Sequence, residues 1–243
     1  RQMCIRDRPI WESSSQLREK TTEAIILTLM STSGFMLMVD SENLIMLFIG
    51  LEIGSISLYA LAGLNRVDKL SNEASLKYFL LGSLASCIFI YGVSLVYVSF
   101  SVLSVYDFAT GVGFVGADSV PLTTKLGVIL IFIGLLFKIA AAPFQSWAPD
   151  VYQGSPTGYV GYMASVAKAS AFIVIARLCQ VSLRFMPNEF DSFFLFVVIL
   201  SVVIGSIFAS VQDDLKRLLA YSGVVQSGFC LLYTSPSPRD TTA

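Results

Sequence analysis

A chain of 243 residues that is 55% hydrophobic and only 14% charged is too apolar for a soluble domain, where roughly 25% of residues are charged. Its net charge of −1 offers no basic face for nucleic acid. It contains no histidine, which excludes histidine-held haem, histidine zinc sites and histidine proton relays.

Residues 1–22 are polar and of mixed charge. Asp7, Glu12 and Glu19 argue against a mitochondrial transit peptide, which is poor in acid. RQMCIRDR at the start and LLYTSPSPRD near the end resemble translated sequencing adapters. Both 1–22 and 234–243 are therefore expected to be foreign to the fold, with the native chain continuing in both directions. The four cysteines, Cys4, Cys87, Cys179 and Cys230, form no C-x-x-C pair and read as small hydrophobes within helices.

A spanning helix needs about 20 mostly apolar residues. Seven segments come near that: 24–39, 43–64 with Glu52, 74–100, 126–152 interrupted at Pro143, 157–178 with Lys168, 191–211, and 218–233. The expected fold class is all-α, a polytopic bundle of transmembrane helices over 23–233 that includes a broken helix. Polar turns are expected at 65–73 and 212–217, and a longer loop at 101–125. Alternating sides group Arg66, Lys69, Lys77, Lys216 and Arg217 against Lys125, Arg177 and Arg184. That bias places the two short turns in the matrix or cytoplasm. Lys77 and Arg177, nearer helix ends, read as interface anchors.

Three ionisable residues lie deep in apolar helices. At about 1.5 Å per residue, Glu52 is about 13 Å past Asn43, while Lys138 and Lys168 are each about 18 Å into theirs. In a core about 30 Å thick, all three sit near the midplane. A lone charge there costs from about 2.5 to over 10 kcal/mol, so it is expected to have a partner and a task. A structural salt bridge between Glu52 and Lys138 is the plain alternative, but it stabilises little and leaves Lys168 without an acid. Pro143 cannot donate to the carbonyl of Ile139 and breaks the helix one turn after Lys138. Such a break is tolerated in a membrane when packed in protein or lining a wet cavity. Gly50 and Gly54 flank Glu52 as GLEIG, a spacing that lets another helix approach closely. On the seventh segment, Tyr221, Ser222, Gln226 and Ser227 could hold a chain of waters or bond between helices.

The blocks GLEIGSISLYAL, NEASLKYFLLGSLAS, FKIAAAPFQSWAPDVYQGSPT, VAKASAFIVIARL and QDDLKRLLAYSGVVQSGF occur in this order. Together they resemble the antiporter-like subunits of proton-pumping NADH:ubiquinone oxidoreductase (complex I), nearest the subunit 2 branch, over about residues 23–233. The resemblance implies that Glu52 pairs with the lysine of a broken helix, that Lys138 is that lysine, and that Lys168 is the next along a hydrophilic axis. It implies no cofactor in this chain. Flavin, iron–sulfur clusters and quinone would belong to partner subunits. The implied partners are other membrane-arm subunits, a chain supplying missing helices, and lipids. The implied location is the mitochondrial inner membrane, with a bacterial or thylakoid membrane as alternatives. A cation/proton antiporter subunit and an inert structural spacer remain the rival functions. Two departures stand out. Gln145 occupies the place of a histidine in many PFHxW motifs, and Gln226 that of another, so neither is expected to titrate. Later helices of the family are missing, so the chain is expected to hold half of a proton path.

Overall fold

The computed structural model describes the backbone of residues 3–115, 120–182 and 187–234, and side chains within 21–111, 120–180 and 192–233. Its helices are α1 (Met3–Asp40), α2 (Leu44–Ala62), α3 (Lys69–Phe100), α4 (Val105–Val115), α5 (Leu122–Lys138), α6 (Trp147–Gly154), α7 (Thr157–Tyr162), α8 (Lys168–Ser182), α9 (Pro187–Ser210) and α10 (Leu215–Thr234). A π-helical turn, Met163–Ala167, joins α7 to α8. Among the described residues there is no β-strand, only an isolated bridge between Asn43 and Ser104. Among the described residues, five stretches are long and apolar enough to cross a membrane: Thr21–Asp40, Leu44–Ala62, Lys69–Phe100, Thr157–Gln180 and Ser192–Ser210. The chain is a multi-pass, all-helical membrane protein.

Local chemistry sets most of the boundaries. Asn43 caps α2 by accepting from the Ile45 amide at 2.9 Å, and Asp68 caps α3 through the Leu70 amide at 3.0 Å. The Asp214 carboxylate accepts from the Lys216 amide at 2.8 Å at the start of α10. α3 ends where Ser101 adopts φ 55°, a left-handed stop.

Among the boundaries that differ from the sequence expectation, three bear on the architecture. α1 begins at Met3 instead of near 23. α3 begins at Lys69 instead of 74, where the Asp68 cap starts it. The expected loop at 101–125 contains α4, whose buried Val105 and Phe108 pack beneath it.

Glycines bring the helices into contact. A Cβ on Gly34 would lie 2.4 Å from the Gly54 amide, and one on Gly50 would lie 2.5 Å from the Met38 amide. The GLEIG glycines therefore seat α2 directly on α1 and orient Glu52. Gly92 and Gly127 play the same part between α3 and α5, where a Cβ on Gly92 would meet the Gly127 carbonyl at 2.6 Å. The outward faces of α1, α3 and α9 expose Met36, Leu84 and Phe196, as helices facing lipid or further protein do.

Lys77, Arg217 and Arg177 sort to the ends that the sequence implied, and Arg184 lies outside the described residues. Lys77 on α3 pairs with Glu73 at 2.8 Å and with Asp150 on α6 at 2.9 Å. Asp150 also receives Arg217 of α10 at 2.6 Å. The 65–73 and 212–217 turns thus lie at one end of the bundle. At the other end, Arg177 donates to the carbonyls of Val39 (2.9 Å) and Ser41, capping the end of α1. Lys77 and Arg177 therefore tie helices together as well as lying near helix ends.

Candidate functional site: a broken helix between two buried lysines

α5 stops at Lys138 in a Schellman-type turn. The Ala141 amide reaches back to the Leu136 carbonyl and the Ala140 amide to the Phe137 carbonyl, both at 3.0 Å. Ala140 takes φ 57° in this turn, a conformation usually left to glycine. The Ala142–Pro143 bond is cis, and the chain resumes as α6 at Trp147. Every residue from Ile139 to Ala142 is fully buried.

Side chains from three other helices serve the backbone groups that the break sets free. Ser201 of α9 accepts from the Ala142 amide at 2.9 Å. Trp147 of α6 donates its indole N–H to the Phe137 carbonyl at 3.0 Å. Ser227 of α10 donates to the Ile139 carbonyl at 3.0 Å. The break is thus packed in protein and its polar atoms are served, as a membrane interior requires.

Lys138 is 4% exposed. Its ammonium donates to the Ser55 hydroxyl, and Ser55 donates to the Leu51 carbonyl. It also lies over the rings of Tyr59 and Tyr78, at 5.3 and 5.6 Å from their centroids. Two aromatic faces can hold a desolvated cation without neutralising it. The rings are themselves fixed, Tyr59 edge-on to Tyr78 at 4.7 Å and Tyr78 stacked on Trp147 at 4.6 Å. Trp147 therefore joins the helix break to the wall of the lysine site.

Glu52 does not touch Lys138. Its carboxylate accepts from the Ser86 hydroxyl of α3. The resemblance implies that the two pair, with a contact salt bridge as the plain alternative; in the structure each charge has a hydroxyl partner, Ser55 of α2 for the lysine and Ser86 of α3 for Glu52. A small cavity lined by Leu51, Gly82, Ser86, Phe89, Gly134 and Lys138 connects the serine that holds Glu52 to the lysine.

Lys168 opens α8 just after the π-helical turn and is 7% exposed. Its ammonium donates to the Gly223 carbonyl at 3.2 Å. A Cβ on Gly223 would lie 2.9 Å from that nitrogen, so glycine is what lets the lysine approach. The Ser227 hydroxyl lies 2.8 Å from the same Gly223 carbonyl. The two lysine sites are joined through Gly223, Ser227 and Ile139.

The other expected residues fall nearby with different surroundings. Tyr221 stacks on Phe208 at 5.5 Å, Ser222 is half-buried and Gln226 is exposed. The side-chain amide oxygen of Gln145 is buried without a hydrogen bond. Pro143 stands at the break as expected, exposed at its outer side. Several contributors carry little mark in the sequence. Ser55 could be found as the residue three past Glu52 on one helix face. Ser86, Ser201, Gly223 and the ring pair Tyr59–Tyr78 give no local signal.

A helical membrane domain with buried lysines on either side of a packed helix break is of the antiporter-like class. The chain belongs to the transmembrane family described as NADH:quinone oxidoreductase/Mrp antiporter, TM, which matches residues 41–237. It is 43% identical over 220 residues to the NADH-quinone oxidoreductase subunit N of Parafrankia sp. (strain EAN1pec), covering 90% of this chain and 42% of that protein. It is 41% identical over 215 residues to subunit N 1 of Chloroherpeton thalassium, covering 86% of this chain and 44% of that protein. Among solved structures, a chain of respiratory complex I from Thermus thermophilus with bound aureothin matches with TM-score 0.75 and 38% identity, over 87% of this chain and 45% of that one. A chain of the archaeal membrane-bound sulfane sulfur reductase matches with TM-score 0.75 and 28% identity, over 87% of this chain and 42% of that one. The Mrp complex of Dietzia sp. DQ12-45-1b matches at 23% identity and TM-score 0.73, over 86% of this chain and 38% of that one, a likeness of fold. The chain thus spans less than half the length of each of these relatives. The sequence pointed to the subunit 2 branch, whereas these curated relatives carry the name subunit N.

Proposed function

We propose that this chain forms part of a proton-translocating membrane-arm subunit of an NADH:quinone oxidoreductase, of the kind called subunit N in its relatives and subunit 2 in the mitochondrial naming. The observation that carries the proposal is Lys138, a buried amine at a helix break, held by a hydroxyl and two aromatic faces instead of by a carboxylate. An ammonium locked in a contact ion pair would have to break that pair to release its proton. Here it has only to leave Ser55.

Lys138 takes up a proton when its surroundings hydrate or Glu52 draws nearer, and passes it towards Lys168 when the influence of Glu52 weakens. Burial disfavours an ammonium and a nearby carboxylate favours it, so changing either balance moves the proton. Driving one charge across 100 mV needs about 2.3 kcal/mol, within reach of such a change. Redox chemistry in partner subunits supplies the drive. Flavin, iron–sulfur clusters and quinone lie there, and this chain supplies the titrating side chains. Its partners are the neighbouring membrane-arm subunits and lipid. The bacterial relatives support a bacterial cytoplasmic membrane; the mitochondrial inner membrane rests on the sequence resemblance.

The test is Lys138→Met in the assembled enzyme, measured for NADH oxidation and proton uptake in vesicles. Assembly with a lowered proton yield per NADH is expected. Normal stoichiometry would mean that the charges are inert and the chain a spacer.

A further inference from the structure

The Ile139 carbonyl is the one that Pro143 cannot serve, because proline has no N–H. Ser227 serves it from α10 at 3.0 Å, yet the same hydroxyl lies 2.8 Å from the Gly223 carbonyl one turn back on its own helix. A serine hydroxyl carries one hydrogen, so it cannot donate fully to both. Lys168 donates to that Gly223 carbonyl at 3.2 Å. The Gly223 carbonyl has two lone pairs, and the α10 ladder uses one for the Ser227 amide. Lys168 and the Ser227 hydroxyl therefore compete for the other, and Ser227 is the donor on which the break beside Lys138 depends.

We propose that Ser227 is a positioning residue that couples the charge state of Lys168 to the helix break at Ile139–Pro143; this rests on the proton-translocating function above. When Lys168 is charged, its ammonium is the stronger donor to Gly223. The Ser227 hydrogen is then turned to Ile139 and holds the break in the geometry seen here. When Lys168 is neutral, its grip on Gly223 weakens. Ser227 then bonds back to its own helix, as serines within helices do. The Ile139 carbonyl is left without a donor, and a buried carbonyl in that state draws in water or shifts to find one. The segment that moves begins one residue after Lys138. No proton passes through Ser227 itself; only its hydrogen bond changes partner.

The experiment compares Ser227→Ala, Ser227→Val and Ser227→Thr with Lys138→Met in the assembled NADH:quinone oxidoreductase reconstituted in vesicles. NADH oxidation, proton uptake and hydrogen exchange of the Ala140 and Ala141 amides are measured on each. Alanine and valine should lower the proton yield per NADH about tenfold and speed exchange at Ala140 and Ala141, the size expected from leaving one buried acceptor unserved. Threonine, which keeps the hydroxyl, should restore both. Where alanine weakens assembly, Ser227→Cys keeps the volume with a weaker donor and should fall between alanine and the parent. Parental proton yield in the alanine and valine variants, in an enzyme whose Lys138→Met variant has lost pumping, overturns the coupling and leaves the proposed function standing. An equal fall in all variants, threonine included, overturns it as mere packing. Normal pumping by Lys138→Met overturns the function and the coupling together.

Discussion

Lys138 gives its hydrogen bond to Ser55, three residues beyond Glu52 on the same helix, while Glu52 takes a hydrogen from Ser86 on the next helix. The two charges are neighbours separated by hydroxyls. Burying an ion pair in contact costs desolvation that the attraction barely offsets, and removing one partner then costs about 3–5 kcal/mol. A hydroxyl beside each charge avoids that trap, because it can donate or accept as the proton comes and goes.

Ser55 is thus expected to matter more than its chemistry suggests. In Ser55→Ala, the ammonium keeps only the faces of Tyr59 and Tyr78. Loss of a hydrogen bond to a charged group is worth about 1.5–3 kcal/mol, so proton translocation should fall about tenfold or more. Ser55→Thr should retain most of it. Proton uptake per NADH in vesicles checks both. Equal behaviour of alanine and threonine would remove Ser55 from the mechanism.

Glu52 and Lys138 should be coupled despite the gap between them. Glu52→Gln keeps an acceptor for Ser86 but loses the charge. Residues that share a network show interaction energies of about 0.5–3 kcal/mol in double-mutant cycles. The pumping rates of Glu52→Gln, Lys138→Met and the double variant should therefore be non-additive. Strict additivity would show that the carboxylate serves another group.

The membrane class, the spans and the deep charges were legible because hydrocarbon admits few alternatives. Runs of apolar residues, a lone lysine and a proline within a run have one economical interpretation there. The form of the break was not legible. Its left-handed position is filled by Ala140 instead of glycine, so IAAAP carries no turn signal. The partners of the break, Ser201, Ser227 and Trp147, come from separate helices and are brought together only by packing. The hydroxyl partners of Glu52 and Lys138 were hidden for a related reason. Depth along a helix is readable from sequence, but rotation about its axis is set by Gly34, Gly50 and Gly54 pressing α1 on α2. Tyr221, Ser222, Gln226 and Ser227 all read as polar residues in an apolar run; the same rotation question decides that Ser227 reaches the break.

Asp150 joins α3, α6 and α10 by accepting from Lys77 and Arg217. These groups are partly exposed, with side-chain exposures of 43% for Lys77, 33% for Asp150 and 27% for Arg217. Each pair should therefore contribute no more than about 1 kcal/mol, and less at high salt. Asp150→Asn should lower the thermal stability of the assembled enzyme slightly, with the difference from the parent shrinking as salt is raised. A difference that persists in high salt would point to lost hydrogen-bond geometry at Gln153 and Arg217 instead.

Gly223 provides a test of Lys168 that leaves the lysine itself intact. Its carbonyl receives the Lys168 ammonium, and an added Cβ would stand 2.9 Å from that nitrogen. Gly223→Ala should therefore push the ammonium off its acceptor. Alanine favours a helix by about 1 kcal/mol over glycine, so α10 itself should not weaken. A loss of pumping with assembly intact would then trace to the lysine. Gly161, on the same span as Lys168, has nothing within 4 Å of an added Cβ. Gly161→Ala is the matched control and should pump as the parent does. Proton uptake per NADH for the two variants separates the cases. If both pump normally, the Lys168–Gly223 contact is dispensable.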